Sequence, residues 1–202
     1  MITLESIMSI SKSDLQEASK ALSKNDISQL VEWLTLKDDN VRYQALQLLQ
    51  IRSSFFDDVY LYWDTFKNKL KSENSYQRSI GLMLIADNVT WDTENKIEDT
   101  IDECLQILND EKPITIRQCI QSLGKIISTK PNLNDKIASK LVSLDLIAIK
   151  ETMRKSILLD ILNVLLVIRK EHKTDEVESF ILKALTGGIL DKKSKKQIEA
   201  LL

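Results

Sequence analysis

The sequence predicts an all-α fold, a right-handed α-α superhelix of about four helix pairs with capping helices at both ends. A first observation is a recurring phrase: Arg42 in DDNVRYQALQLL has counterparts at Arg78, Arg117 and Arg154, which are 36, 39 and 37 residues apart. A period of about 40 residues with two helices per unit is typical of helical repeat arrays. A second observation is that the 202 residues include only four glycines and two prolines. A β-fold would need turn residues about every ten positions.

Taken in order, the chain predicts a single domain over residues 1–202. An N-terminal cap covers about residues 1–25, the repeats cover about 26–170, and a C-terminal cap covers about 171–202. The N-terminal cap contains a helix after Ser13, in which Leu15, Ala18 and Leu22 recur at helical spacing. In the C-terminal cap, Asp175 begins a helix that Gly187 and its neighbouring glycine end, and a lysine-rich helix closes the array.

Each repeat pairs a first helix (A) with a second helix (B), both marked by apolar residues at helical spacing. The predicted A helices cover about 26–36, 58–71, 94–109 and 134–144. The predicted B helices cover about 40–52, 75–87 and 147–170, and the third B helix begins near Pro113 and ends before Pro131. The chain contains no recognisable linker, low-complexity tract or second domain.

The phrase Asp-Asn-Val-Arg-Tyr-Gln-Ala at 39–45 resembles the HEAT repeat, in which an acidic turn precedes Val-Arg and a small residue on the second helix. The resemblance covers about residues 26–170. The second repeat departs from the pattern at Tyr76 and Gln77, and the fourth lacks the acidic turn. HEAT arrays are generally binding scaffolds whose B helices line a concave face, so the resemblance implies a groove for a partner.

Two interpretations are open for the repeat arginines, which are Arg42, Arg78, Arg117 and Arg154. They could form a basic ladder that reaches phosphates along the groove. Alternatively, each could be structural and pair with acidic or carbonyl groups at the turns, where Asp38, Asp39, Glu73 and Asp110 lie. The local acids and the HEAT resemblance favour the structural interpretation.

With the arginines turned inward, the groove falls on the residues one, five and eight positions after each arginine. The predicted partner-binding residues are Tyr43, Gln47, Gln50, Ser79, Met83, Gln118, Ser122, Lys125 and Lys155. This face mixes amides and apolar residues with only two lysines. It therefore suits a protein partner better than a nucleic-acid backbone.

The sequence contains no recognisable catalytic or cofactor motif. His172 is the single histidine, and Cys104 and Cys119 lie in apolar helical patterns, which predicts buried thiols in a cytoplasmic protein rather than a zinc site or a disulfide. No phosphate-binding or dinucleotide-binding glycine pattern occurs. The N-terminus does not resemble a secretory signal, and no apolar run is long enough to span a bilayer. We expect no cofactor, no metal and no membrane partner.

An enzymatic alternative comes from a second resemblance, because bacterial DNA glycosylases that remove alkylated bases are also built from HEAT-like repeats. They use aromatic, acidic and basic residues on the concave face. Here Trp33, Trp63 and Trp91, with Asp64 and Asp92, supply such residue types. Trp33 and Trp63 fall on A-helix stripes, where core packing is the better explanation, and Trp91 falls in a turn. A net charge of −2 also disfavours DNA as the partner.

The sequence thus predicts a non-catalytic scaffold that binds a protein on its concave B-helix face. The alternative is a DNA-binding HEAT-like protein that resembles alkylated-base glycosylases, and a homo-oligomeric structural protein is a third possibility. The abundance of Lys, Ile and Asn is typical of an AT-rich bacterial genome.

Overall fold

The computed structural model describes residues 2–202, and it confirms the all-α fold. Those residues form twelve α-helices and no strand. The helices are α1 (Leu4–Ser9), α2 (Leu15–Lys20), α3 (Lys24–Trp33), α4 (Asp39–Ser53), α5 (Trp63–Lys69), α6 (Ser75–Asn88), α7 (Lys96–Gln106), α8 (Pro113–Thr129), α9 (Asn134–Val142), α10 (Glu151–Glu171), α11 (Asp175–Thr186) and α12 (Lys192–Glu199). Short 3₁₀ turns lie at Tyr60–Tyr62, Val89–Trp91, Ile107–Asn109 and Pro131–Leu133. The predicted A helices correspond to α3, α5, α7 and α9, and the predicted B helices to α4, α6, α8 and α10.

Side-chain caps explain where several helices begin. The carboxylate of Asp38 accepts hydrogen bonds from the backbone N–H groups of Asn40 (2.9 Å) and Val41 (3.3 Å), which starts α4. The amide oxygen of Asn74 does the same for Tyr76 at the start of α6. These contacts satisfy N–H groups that have no partner within the helix. α1 was not predicted; Thr3 and Ser6 cap it reciprocally.

Two helices begin at least four residues later than predicted. The second A helix is shorter than expected, because residues Tyr60–Tyr62 form a 3₁₀ turn before α5 begins at Trp63. α10 begins at Glu151 rather than near residue 147. The carbonyls of Ile147 and Ile149 accept hydrogen bonds from the Arg154 guanidinium instead of continuing a helix.

The described chain divides into two compact units, with the division inside α7. The first unit ends at Thr100, and the second runs from Ile101 to Leu202. That the chain forms a single HEAT-like domain with a superhelical arrangement stays a prediction from the sequence.

In the first unit, α4 packs against α1, α2, α3 and α6, and α5 packs along α6. The close pairing of α5 and α6 depends on Gly81. An added Cβ there would lie 2.5 Å from the Phe66 carbonyl oxygen and 2.9 Å from the Lys69 Cβ. A side chain larger than hydrogen would therefore push the two helices apart. Trp63 and Phe66 fill the interface from α5 and are 1% and 0% exposed.

In the second unit, α10 packs against α8, α9 and α11, and α11 also contacts α9. Its core consists of branched aliphatic side chains from these helices, among them Ile120, Leu123, Ile161 and Leu165, all fully buried. Cys104 and Cys119 belong to the same core as buried thiols. The Cys119 Sγ donates to the Cys104 carbonyl oxygen at 3.3 Å, and burial raises the pKa of the Cys119 thiol well above its ordinary value.

Candidate functional site

Three of the four repeat arginines donate to carbonyl groups of the turn that precedes their B helix. The Arg42 guanidinium donates to the Leu36 carbonyl at 2.8 Å and also contacts the Asp39 carboxylate. Arg78 donates to the carbonyls of Ser72 (2.7 Å) and Glu73 (2.9 Å). Arg154 makes the equivalent contacts to Ile147 (2.7 Å) and Ile149 (2.9 Å). Each of these arginines thus holds an A–B turn in place.

Arg117 has a different arrangement. Its Nε and Nη2 donate to the two carboxylate oxygens of Asp160 on α10, at 2.6 and 3.2 Å. This two-point contact joins α8 to α10 rather than closing a turn. The hydrogen bond to Asp160 raises the pKa of Arg117 above its ordinary value, although partial burial opposes the effect.

On α4, the predicted partner-binding residues lie at the surface. Tyr43 is 58% exposed, while Gln47 and Gln50 are partly exposed. The Gln50 amide donates to the Asp87 carboxylate of α6 at 2.6 Å, so the outer faces of the two helices adjoin.

On α6, the exposed residues differ from the predicted ones. Ser79 is only 3% exposed, and the correction follows from packing: Ser79, Ile80, Gly81 and Leu82 are all buried, so a whole helical turn is enclosed. The accessible stripe contains Tyr76, which is exposed, together with the predicted Met83 and with Asp87, which are both partly exposed and recur with Tyr76 at helical spacing. Tyr76 is 61% exposed. We call Tyr43, Gln47, Gln50, Tyr76, Met83 and Asp87 the α4–α6 face.

The prediction did not include Tyr76 and Asp87, because it counted positions one, five and eight after the arginine of each repeat. A helical wheel centred on Met83 would have included both, since they lie seven residues before it and four after it. Arg42 also contributes to the edge of this face, because its guanidinium carbon lies 5.3 Å from the centre of the Tyr76 ring. This cation–π contact orients the tyrosine.

In the second unit, the predicted contact residues do not form a continuous exposed face. Ser122 is 2% exposed and is therefore wrong as a contact residue; it lies at the edge of the broad buried side of α8. Gln118 is partly exposed and Lys125 is exposed. Lys155 is partly exposed and forms an ion pair with Asp191. This unit thus presents scattered polar groups rather than a continuous face.

The residue types that suggested a glycosylase are mostly engaged in structural contacts. The Trp63 indole is buried and donates to the Thr100 hydroxyl at 3.2 Å, and the Trp91 indole donates to the Ser53 carbonyl at 2.7 Å. Asp92 is 4% exposed and accepts hydrogen bonds from the Tyr60 hydroxyl and from backbone N–H groups at the start of α7. Burial and the Asp92 contact raise the pKa of Tyr60. Trp33 is partly exposed and Asp64 is exposed.

Residues 2–202 contain no group of three or more His, Cys, Asp or Glu side chains placed to hold a metal ion. His172 lies near Asp135, with 3.1 Å between the His172 Nδ1 and a carboxylate oxygen, and both side chains are largely exposed. Within the same residues, no helix is both long enough and apolar enough to cross a membrane.

Comparison with known proteins supports the fold alone. No family model matches the chain, and the comparison with curated proteins found no significant match. Among solved structures, the chain is similar to the crystal structure of an engineered protein from the Northeast Structural Genomics Consortium, with a TM-score of 0.54 and 16% identity. The alignment covers 100% of this chain and 96% of the engineered one. At this identity, the similarity concerns the helical architecture and carries no information on function.

Proposed function

We propose that this chain is a non-catalytic HEAT-like module that binds a protein partner through the α4–α6 face. One observation carries the proposal: Tyr43 and Tyr76, on adjacent B helices, are 58% and 61% exposed. Tyrosine, arginine and methionine are enriched at protein interfaces, because they offer large contact areas together with polar groups. Arg42, stacked on Tyr76, and Met83 add such groups to the same surface.

The polar members of the α4–α6 face support a protein partner rather than a nucleic acid. Gln47 and Gln50 contribute amides, and Asp87 places a carboxylate beside them. A carboxylate repels a phosphate backbone, whereas amides can form hydrogen bonds with a polypeptide. In a HEAT array this face would form part of the concave surface.

The test compares affinity capture by the wild-type chain with capture by a Tyr43→Asp/Met83→Asp variant. Leu182→Asp is the matched control, since Leu182 is 63% exposed on α11 and is not one of the residues of the proposed face. We expect the wild-type chain and the control to capture a partner that the double variant does not capture. Circular dichroism should show the same helix content and thermal midpoint for all three. Equal capture by the double variant would refute the assignment of this face.

A second assay separates the protein scaffold from the glycosylase-like alternative. Plain and alkylated duplex DNA are titrated with the chain at increasing salt, and base excision is measured beside an active control enzyme. If the chain is a protein scaffold, we expect no tight, salt-sensitive DNA binding and no base excision. Tight, salt-sensitive binding or base excision would favour the DNA-binding alternative.

A further inference from the structure

A cavity of about 390 Å³, lined by polar and apolar groups, lies in the first unit and shares Arg42 with the edge of the α4–α6 face. It is formed by the carboxyl ends of α3 and α5 and by the starts of α4 and α6. Its wall includes three basic side chains, Lys37, Arg42 and Lys69, and no carboxylate. Thr65 and Asn68 add a hydroxyl and an amide to the same wall.

Lys69 is the unusual member of this cavity. Its Nζ donates to the amide oxygen of Gln77 at 2.5 Å, and the Gln77 amide donates in turn to the Leu34 carbonyl at 2.7 Å. Within residues 2–202, no carboxylate lies at ion-pair distance from the Lys69 ammonium. The close approach of α5 to α6 at Gly81 holds the stem of this lysine against α6.

A partly buried ammonium without an opposite charge is energetically unfavourable. Burial accordingly lowers the pKa of Lys69 below its ordinary value. An ammonium group has three N–H donors, and Gln77 accepts only one of them. The Lys69 ammonium thus has two further N–H donors and an uncompensated positive charge. An anion with several acceptor oxygens would satisfy both.

We propose that this cavity binds a phosphate group, free or as a small phosphomonoester, with Lys69 as its principal cation. Phosphate offers enough acceptor oxygens for an ammonium, a hydroxyl and an amide together, and lysine binds it as a point charge. Lys37 and the hydroxyl of Thr65 provide further donors. Arg42 contributes its positive field more than its hydrogen bonds, since its guanidinium already contacts Leu36 and Asp39. This site goes beyond the proposed protein-binding face and does not depend on it.

The test is a titration with inorganic phosphate, and in parallel with glycerol 3-phosphate, followed by amide chemical shifts at constant ionic strength. In the wild-type chain we expect saturable shifts at residues around the cavity. Lys69→Met keeps the length of the side chain and removes the charge, and it should weaken binding about tenfold or more. Lys24→Gln, an exposed lysine at the opposite end of α3, is the control and should bind as wild type does.

Thermal unfolding of the same variants distinguishes a ligand site from a structural role. Without phosphate, Lys69→Met should unfold at or above the wild-type midpoint, because an unpaired, partly buried charge has been replaced by an apolar group. Saturable wild-type binding of either probe that Lys69→Met weakens about tenfold or more, and that Lys24→Gln leaves unchanged, supports the site. Absence of saturable shifts in wild type, wild-type affinity in Lys69→Met, or equal weakening in Lys24→Gln would overturn it.

Discussion

Arg52, at the last turn of α4, joins three segments of the first unit and provides a stringent test of its packing. The residue is 7% exposed. Its Nε and Nη2 donate to the Asp58 carboxylate, the shortest contact being 2.7 Å. Its Nη1 donates to the carbonyls of Ser19 (3.1 Å) and Lys20 (2.7 Å) at the end of α2. The guanidinium carbon also lies 3.6 Å from the centre of the Phe56 ring.

Replacing Arg52 by Met should destabilise the first unit strongly. The substitution leaves the Asp58 carboxylate, whose side chain is 18% exposed, without its partner, and it leaves two carbonyls without donors. Removing one member of a buried ion pair costs about 3–5 kcal/mol. We expect a loss of about 3 kcal/mol, because Asp58 retains some contact with water. A domain's total stability is about 5–15 kcal/mol, so the loss is large.

The assay is urea unfolding of wild type, Arg52→Met, Asp58→Asn and the double variant, followed by circular dichroism. The double variant should lose less than the sum of the single losses, because neither charge is then left unpaired. The midpoint should fall without a change in slope if the native surface is unaltered. A loss below about 1 kcal/mol for Arg52→Met, the range of exposed ion pairs, would refute the reasoning.

Two further predictions concern Gly81 and Asp26. Gly81→Ala should destabilise the chain by about 1–3 kcal/mol, because the added Cβ would lie 2.5 Å from the Phe66 carbonyl oxygen. Gly188→Ala is the control: no atom lies within 4 Å of its added Cβ, so the free energy of unfolding in the same urea assay should hardly change. Hydrogen bonds from the Ser23 hydroxyl and from the backbone N–H groups of Ser23 and Ile2 lower the pKa of Asp26 to about 2. Its stabilising effect should be present above about pH 4 and decline as the pH falls towards 2. Asp26→Asn should remove that part of the pH dependence, and an unchanged profile would contradict it.

Features that depend on near neighbours in the chain were predictable from the sequence. The apolar spacing predicted the all-α fold, and the structure confirms it, because helices form from contacts three and four residues apart. Asp38 and Asn74 cap α4 and α6 within one turn, so the starts of these helices were predictable to about one residue. The surface position of Tyr43 follows from the same local periodicity.

Which residues become enclosed, and which distant groups meet, depends on how whole helices pack together. Ser79 is polar and was expected at the surface, but neighbouring helices enclose its whole turn of α6. Arg117 meets Asp160, 43 residues away, instead of an acidic turn nearby. Lys69 reaches its cavity because Gly81 permits two helices to approach closely. Such pairings are set by the packing of whole helices, and a periodic pattern along one helix does not specify which partner covers each side.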